Sequence, residues 1–262
     1  MSESLDTDKL EREVKSMYRG VAESADADFH FETGRDLADR LGYGPDELTY
    51  VPDAAIDSFA GVGYYFDLAE LKPGEAVLDL GSGSGMDAFV AGSYVTETGT
   101  VTGIDMTDEQ VEKARNLAAD NGFHNVTFRH GFIEDLPFED GSFDAVISNG
   151  VVNLSAQKDR VFEEANRVLK PGGRLALADI VSERQLPEGI KNDADLWAAC
   201  IGGAEQVDGY TRMIERAGFE MKAVRENTEY EFISDQAANA CHKYGVQSIS
   251  LGAQRHENER QT

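Results

Sequence analysis

One run of residues, Val77-Leu78-Asp79-Leu80-Gly81-Ser82-Gly83-Ser84-Gly85, constrains this chain more than any other feature. A strand-like stretch passes straight into a glycine-rich turn, and the apolar pattern Met86–Val95 behind it reads as a helix. Glycine accepts positive φ and lets a ligand approach closer than any Cβ would allow. The start of the following helix offers free N–H groups. Such an elbow belongs to a βαβ unit, and in an open parallel sheet it faces a ligand crevice.

From Leu71 onward the chain alternates strand and helix patterns. Strands are predicted at Ala76–Leu80, Thr100–Asp105, Val126–His130, Phe143–Ser148, Arg174–Ile180, Met221–Asn227 and Gln247–Ala253. Helices are predicted at Met86–Val95, Asp108–Asn121, Lys158–Leu169 and Gly209–Ala217, each bounded by Gly, Pro, Asp or Asn. Right-handed crossovers then put helices on both faces of a seven-stranded α/β sheet. Residues 1–70 read as a helical cap: Leu10, Val14, Met17, Tyr18 and Val21 form a stripe, Arg35–Leu41 ends at Gly42, and Pro45 restarts a helical turn. Residues 71–262 form the main domain. Within it the stretch 181–208 interrupts the alternation and is expected to cover a ligand at the carboxyl ends of the strands.

Charge narrows the partners. Among 262 residues, 49 acids face 24 lysines and arginines, a formal net charge of −25 spread over the whole chain. Phosphate backbones and anionic membranes would be repelled, so neither nucleic acid nor membrane is expected as a partner. The dispersed acidity suits a salt-rich solvent that screens self-repulsion. No apolar run approaches the ~20 residues of a spanning helix. The acidic start MSESLDTDKLEREVK has no signal-peptide character, and two cysteines, Cys200 and Cys241, are too few for a disulfide framework. A cytoplasmic location is expected, and oligomeric state is not legible.

The glycine run alone leaves the ligand open. The fingerprint G-x-G-x-x-G fails from Gly81, where Met86 replaces the third glycine, but fits from Gly83 with Ala88 last, so a nicotinamide dinucleotide stays in contention. Asp105, about 20 residues past the loop at the end of the second strand, is placed to accept from ribose hydroxyls in either cofactor class. More specific is the sequel: Gly131-Phe132-Ile133-Glu134-Asp135-Leu136-Pro137-Phe138, Phe143-Asp144-Ala145-Val146-Ile147-Ser148-Asn149, then Arg167-Val168-Leu169-Lys170-Pro171-Gly172-Gly173. In this order the motifs from Val77 to about Ile180 resemble the Rossmann-like S-adenosylmethionine-dependent methyltransferases.

That resemblance implies a mostly parallel Rossmann-like sheet, S-adenosylmethionine as cofactor and a small-molecule methyl acceptor. It sets Gly81, Ser82 and Gly83 against the methionine part, with Asp79 in the strand below, and Asp105 on the ribose. Met106 would pack on the adenine, Ile133 and Glu134 would border it, and Ser148 and Asn149 would close the site. Phe132 stands where family members often carry Asp. Within the class the chain is most similar to arsenite methyltransferases, through Leu41-Gly42-Tyr43, Ile147 to Leu154 and Ala199-Cys200-Ile201-Gly202-Gly203-Ala204. That family pattern supplies three cysteines as soft ligands for trivalent arsenic. Here Val62 and Gly150 occupy two of the places, leaving Cys200. Arsenite methylation and cofactor binding without transfer are therefore carried as alternatives to methylation of an organic acceptor, with a nicotinamide oxidoreductase behind them.

For an acceptor that must lose a proton, His130 is the candidate base, beside Cys200 as the other candidate catalytic residue. Phe59, Tyr64, Tyr65 and Phe66 are expected either as an aromatic substrate wall or as the seat of the cap. Trp197 is a further pocket candidate, and Cys241 reads as buried filler. No metal-ligand spacing is present.

Overall fold

The computed structural model of the chain describes residues 7–23, 31–191, 197, 201–233, 239 and 242–257. Cys200 and Cys241, with 192–196 and 198–199 of the expected insertion, lie outside the described residues.

Among the described residues, five helices precede the sheet: α1 (Thr7–Glu23), α2 (Arg35–Leu41), α3 (Pro45–Leu48), α4 (Asp53–Asp57) and α5 (Phe66–Ala69). Then come β1 (Ala76–Leu80), α6 (Met86–Val95), β2 (Thr100–Asp105), α7 (Asp108–Asp120), β3 (Val126–His130) and β4 (Phe143–Asn149). A 3₁₀ turn at Val152–Leu154 leads into α8 (Lys158–Val168), β5 (Leu169–Ser182), α9 (Glu188–Lys191), β6 (Glu205–Gln206), α10 (Val207–Arg216), β7 (Phe219–Glu226) and β8 (Val246–Arg255).

The sheet runs β3-β2-β1-β4-β5-β8-β7, parallel except that β8 lies antiparallel to both β5 and β7. The expected seven strands are all present. The eighth, β6, pairs only Glu205 and Gln206 with Val181 and Ser182, too short to leave a periodic pattern. β5 starts earlier than expected, at Leu169. The register against β4 jumps from Phe143↔Leu169 to Ala145↔Arg174, so the Lys170-Pro171-Gly172-Gly173 segment is an irregularity within the strand.

Side chains alternate across β1, and each face builds its own core. Val77 joins the cluster with α2, α4, α5, α6 and α7, whereas Leu78 and Leu80 join α8 and α10. Helices α2 to α5 thus share one apolar cluster with the sheet, whereas Leu10 and Val14 of α1 cluster apart from it with Trp197. α6 is buried nearly all round, through Met86, Ala88, Phe89, Val90, Ala91 and Val95, because it is wedged between cap and sheet. No helix among the described residues is long and apolar enough to cross a membrane. Strand order reverses about β1, and the carboxyl ends of β1 and β4 form the switch point where a crevice opens.

Candidate functional site

The crevice begins at the elbow after β1. Gly81 has φ +66°, and a Cβ there would lie 2.4 Å from the Val151 side chain, so only glycine fits. Ser82 N–H donates to the Ile104 carbonyl at 3.0 Å, tying the turn to β2. Gly83 N–H donates to Asp105 Oδ2 at 2.9 Å, and Thr107 N–H donates to Oδ1 at 2.8 Å. Two backbone donors fix this carboxylate, and each oxygen keeps a further acceptor lone pair.

A cavity of about 430 Å³ opens here, walled by the elbow, the ends of β2 and β4, residues 131–135 and 154–157, and the Leu10, Val14 and Tyr18 stripe of α1. Its charge is one-sided. Asp79, Asp87, Asp105, Glu134 and Asp135 line it, and no Lys, Arg or His does so among the described residues. Asp79 is 2% exposed in the middle of an apolar strand, and its Oδ2, like Ser82 Oγ, is buried without a hydrogen-bond partner. Burial pushes its carboxyl well above the usual carboxylate range, and the nearby Asp87 and Asp105 push it further. An orphaned carboxylate in a dry wall is costly unless a cationic ligand answers it.

Asp87, at the start of α6, is a lining residue that sequence reasoning missed. Its Oδ1 accepts from Tyr43 Oη at 2.6 Å, and its Oδ2 accepts from Tyr65 Oη at 2.8 Å and Asn149 Nδ2 at 3.0 Å. Burial raises its pKa while these three donors lower it. Gln110 was also missed. Its amide accepts from Ser84 Oγ at 2.5 Å and donates to the Tyr18 carbonyl at 2.9 Å, linking elbow to α1. An acid in the first helical turn reads from sequence as a simple dipole partner, which is why Asp87 gave no signal.

Most expected residues do meet here: Asp79, Gly81, Ser82, Gly83, Asp105, Met106, Ile133, Glu134 and Asn149 line the cavity. Asn149 is heavily engaged, accepting from Val62 N–H at 2.7 Å and donating to the Gly63 carbonyl and Tyr43 Oη, both at 3.0 Å. Two expected residues lie off this wall. Ser148 is 1% exposed and spends its hydroxyl on the Leu80 carbonyl at 3.0 Å, a sheet staple away from the cavity wall. His130 also lies off the wall, its Nε2 2.9 Å from the Met106 carbonyl and 3.8 Å from Asp108 Oδ1, because β3 turns that side chain outward. Of the aromatic group, Phe59 lines the cavity, whereas Tyr65 and Phe66 are stacked in the core. Trp197 packs with Leu10 and Val14, and Met106 and Leu154 lie against that cluster.

An acidic wall with no Lys, Arg or His among the described residues disfavours the pyrophosphate of a dinucleotide and suits a cationic nucleoside. Known proteins agree with that chemistry. The methyltransferase domain family matches residues 71–218. An arsenite methyltransferase of Halobacterium salinarum is 44% identical over 209 residues, 79% of this chain and 53% of the relative. A solved arsenic(III) S-adenosylmethionine methyltransferase of Chlamydomonas reinhardtii is 31% identical with a TM-score of 0.65, and the match covers 87% of this chain and 76% of that one. This chain belongs to the S-adenosylmethionine-dependent methyltransferases. A Streptomyces halstedii methyltransferase, GfsG, is 30% identical over 245 residues, 87% of this chain and 80% of the relative. The chain spans about half the length of the arsenite methyltransferases it matches among curated relatives, from 40% to 60% of each.

The residues of this methyltransferase fit its methyl donor. S-adenosylmethionine brings a sulfonium, an ammonium and a ribose diol, all of which a carboxylate can answer, and the unpartnered Asp79 Oδ2 and Ser82 Oγ are the polar atoms left waiting.

Proposed function

We propose that this chain transfers the methyl group of S-adenosylmethionine to a small, uncharged or cationic acceptor. The carrying observation is the buried wall of the Asp79, Asp87 and Asp105 side chains, with Asp79 Oδ2 unpartnered and no Lys, Arg or His lining the cavity among the described residues. In this reading Asp79, Gly81, Ser82 and Gly83 hold the amino-acid end, Asp105 the ribose, and Met106, Ile133 and Glu134 the adenine. When bound, the donor supplies an electrophilic methyl carbon on its sulfonium. The chain's own contribution is proximity: it excludes water behind Leu10, Val14 and Phe59 and holds an acceptor in line with that carbon. Anionic acceptors are disfavoured, since the described residues lining the cavity include five or more acids and no Lys, Arg or His to answer a negative charge.

Arsenite as acceptor is the second reading, favoured by the 44% and 31% identical relatives. Against it, Val62 and Gly150 stand where the family pattern has two thiols, and one thiolate cannot chelate arsenic. The division into a cap of residues 1–70 and a transfer domain of 71–262, a cytoplasmic setting and the lack of a nucleic-acid partner belong to the same proposal. The acidic composition supports the last two.

The test is calorimetric titration in high salt with S-adenosylmethionine, S-adenosylhomocysteine and NAD, repeated with arsenite, followed by a search for methylated product over a panel of acceptors. Binding of both adenosyl ligands and turnover of neutral acceptors are expected. Failure of both to bind sinks the reading, arsenite turnover replaces the acceptor, and binding without any product reduces the chain to a cofactor-binding protein.

A further inference from the structure

Lys158 opens α8, where a helix's own partial positive charge disfavours a cation, and it is only 7% exposed. A buried lysine in that place needs a reason. Its Nζ donates to the Ser155 carbonyl at 2.7 Å and lies 4.6 Å from the centre of the Trp197 ring, which covers it. The Ser155 hydroxyl in turn donates to Glu134 Oε1 at 2.5 Å and accepts from Gln157 N–H at 3.0 Å. Both Glu134 and the segment Leu154 to Gln157 are cavity wall. Behind the lysine, Asp179 is fully buried and accepts from Asn153 N–H at 2.9 Å and Tyr210 Oη at 2.5 Å, pinning the 3₁₀ turn to α10.

We propose that Lys158 is a positioning residue for the adenosyl end of the cavity, its charged ammonium holding Ser155 so that Ser155 holds Glu134. The inference rests on the cofactor reading above. The groups facing the ammonium are Asp179 on β5, Glu205 on β6 and Glu134 after β3, which favour the charge, and Lys191 on α9, which opposes it. Burial outweighs them and pulls the lysine down to about 8. The sign follows: the brace is strongest below that pH and weakens above it, as the ammonium loses its proton and a charge-assisted hydrogen bond becomes an ordinary amine one.

The probe is 5′-methylthioadenosine, which has an adenosyl group and no amino-acid end to titrate. Its dissociation constant is measured from pH 6.5 to 9.5 on the full chain, with melting curves run alongside. Wild type is expected to bind about tenfold more weakly at the top of the range, the size of one charge-assisted hydrogen bond. Lys158→Arg stays charged throughout and is expected to bind as at neutral pH across the range. Ser155→Ala breaks the link at its middle and is expected to bind weakly at every pH, with no dependence, which a purely structural lysine would not produce. A flat wild-type profile, or an unaltered one in Ser155→Ala, overturns the proposal while leaving the cofactor reading intact. Absence of binding at any pH defeats the cofactor reading, and this inference with it.

Discussion

A Cβ built on Gly150 would lie 3.2 Å from Val62 Cγ1, so the end of β4 and the segment leading to α5 meet at these two residues. They are the places where the arsenite methyltransferase pattern has thiols, and an isopropyl group fills the space instead. Wild-type protein is therefore expected not to methylate arsenite. Val62→Cys with Gly150→Cys is expected to gain arsenite binding by calorimetry, while losing about 1–2 kcal/mol of stability because Gly150 sits at φ +70°. Arsenite turnover by the wild type at a rate the double variant does not exceed would refute this.

Asp79 carries the cofactor reading. Its raised carboxyl means that the folded chain keeps a proton the unfolded chain sheds, so stability of the free protein declines as pH rises from the unfolded value, about 4, through the folded one. A ligand ammonium favours ionisation, so binding below the folded value releases a proton. Asp79→Asn should weaken S-adenosylhomocysteine by about 10- to 100-fold, abolish that release and leave the free protein at least as heat-stable. Calorimetry in two buffers of different ionisation enthalpy, with a melting curve, checks all three. An unchanged affinity would remove Asp79 from the site.

Tyr43→Phe probes the network that seats the cap. The lost hydroxyl donates to Asp87 and accepts from Asn149, leaving a buried carboxylate oxygen unanswered. A stability loss of about 1–3 kcal/mol is expected in urea denaturation. A variant as stable as wild type would show that water takes over the contact.

Salt should stabilise the whole chain. With a net charge of −25, self-repulsion is screened over about 10 Å at 0.1 M salt and 3 Å at 1 M. The melting temperature is expected to climb steadily between those concentrations in KCl. A flat or falling curve would mean that the acids are locally compensated.

Features that depend on near neighbours were legible in the sequence. The elbow Gly81 to Gly85, the strand patterns and Asp105 at the end of β2 were all readable, because glycine's freedom and the apolar period are properties of adjacent residues. The acidity, likewise, is a matter of counting. Tertiary structure alone decided who answers whom. Tyr43 reaches Asp87 across 44 residues and Tyr210 reaches Asp179 across 31, contacts set by which helix packs on which face of the sheet. The same packing turned His130 and Ser148 away from the cavity while leaving Asp79 Oδ2 bare inside it. A side chain's residue type states what it can bind, but its burial and the partners that reach it decide what it has left to offer a ligand.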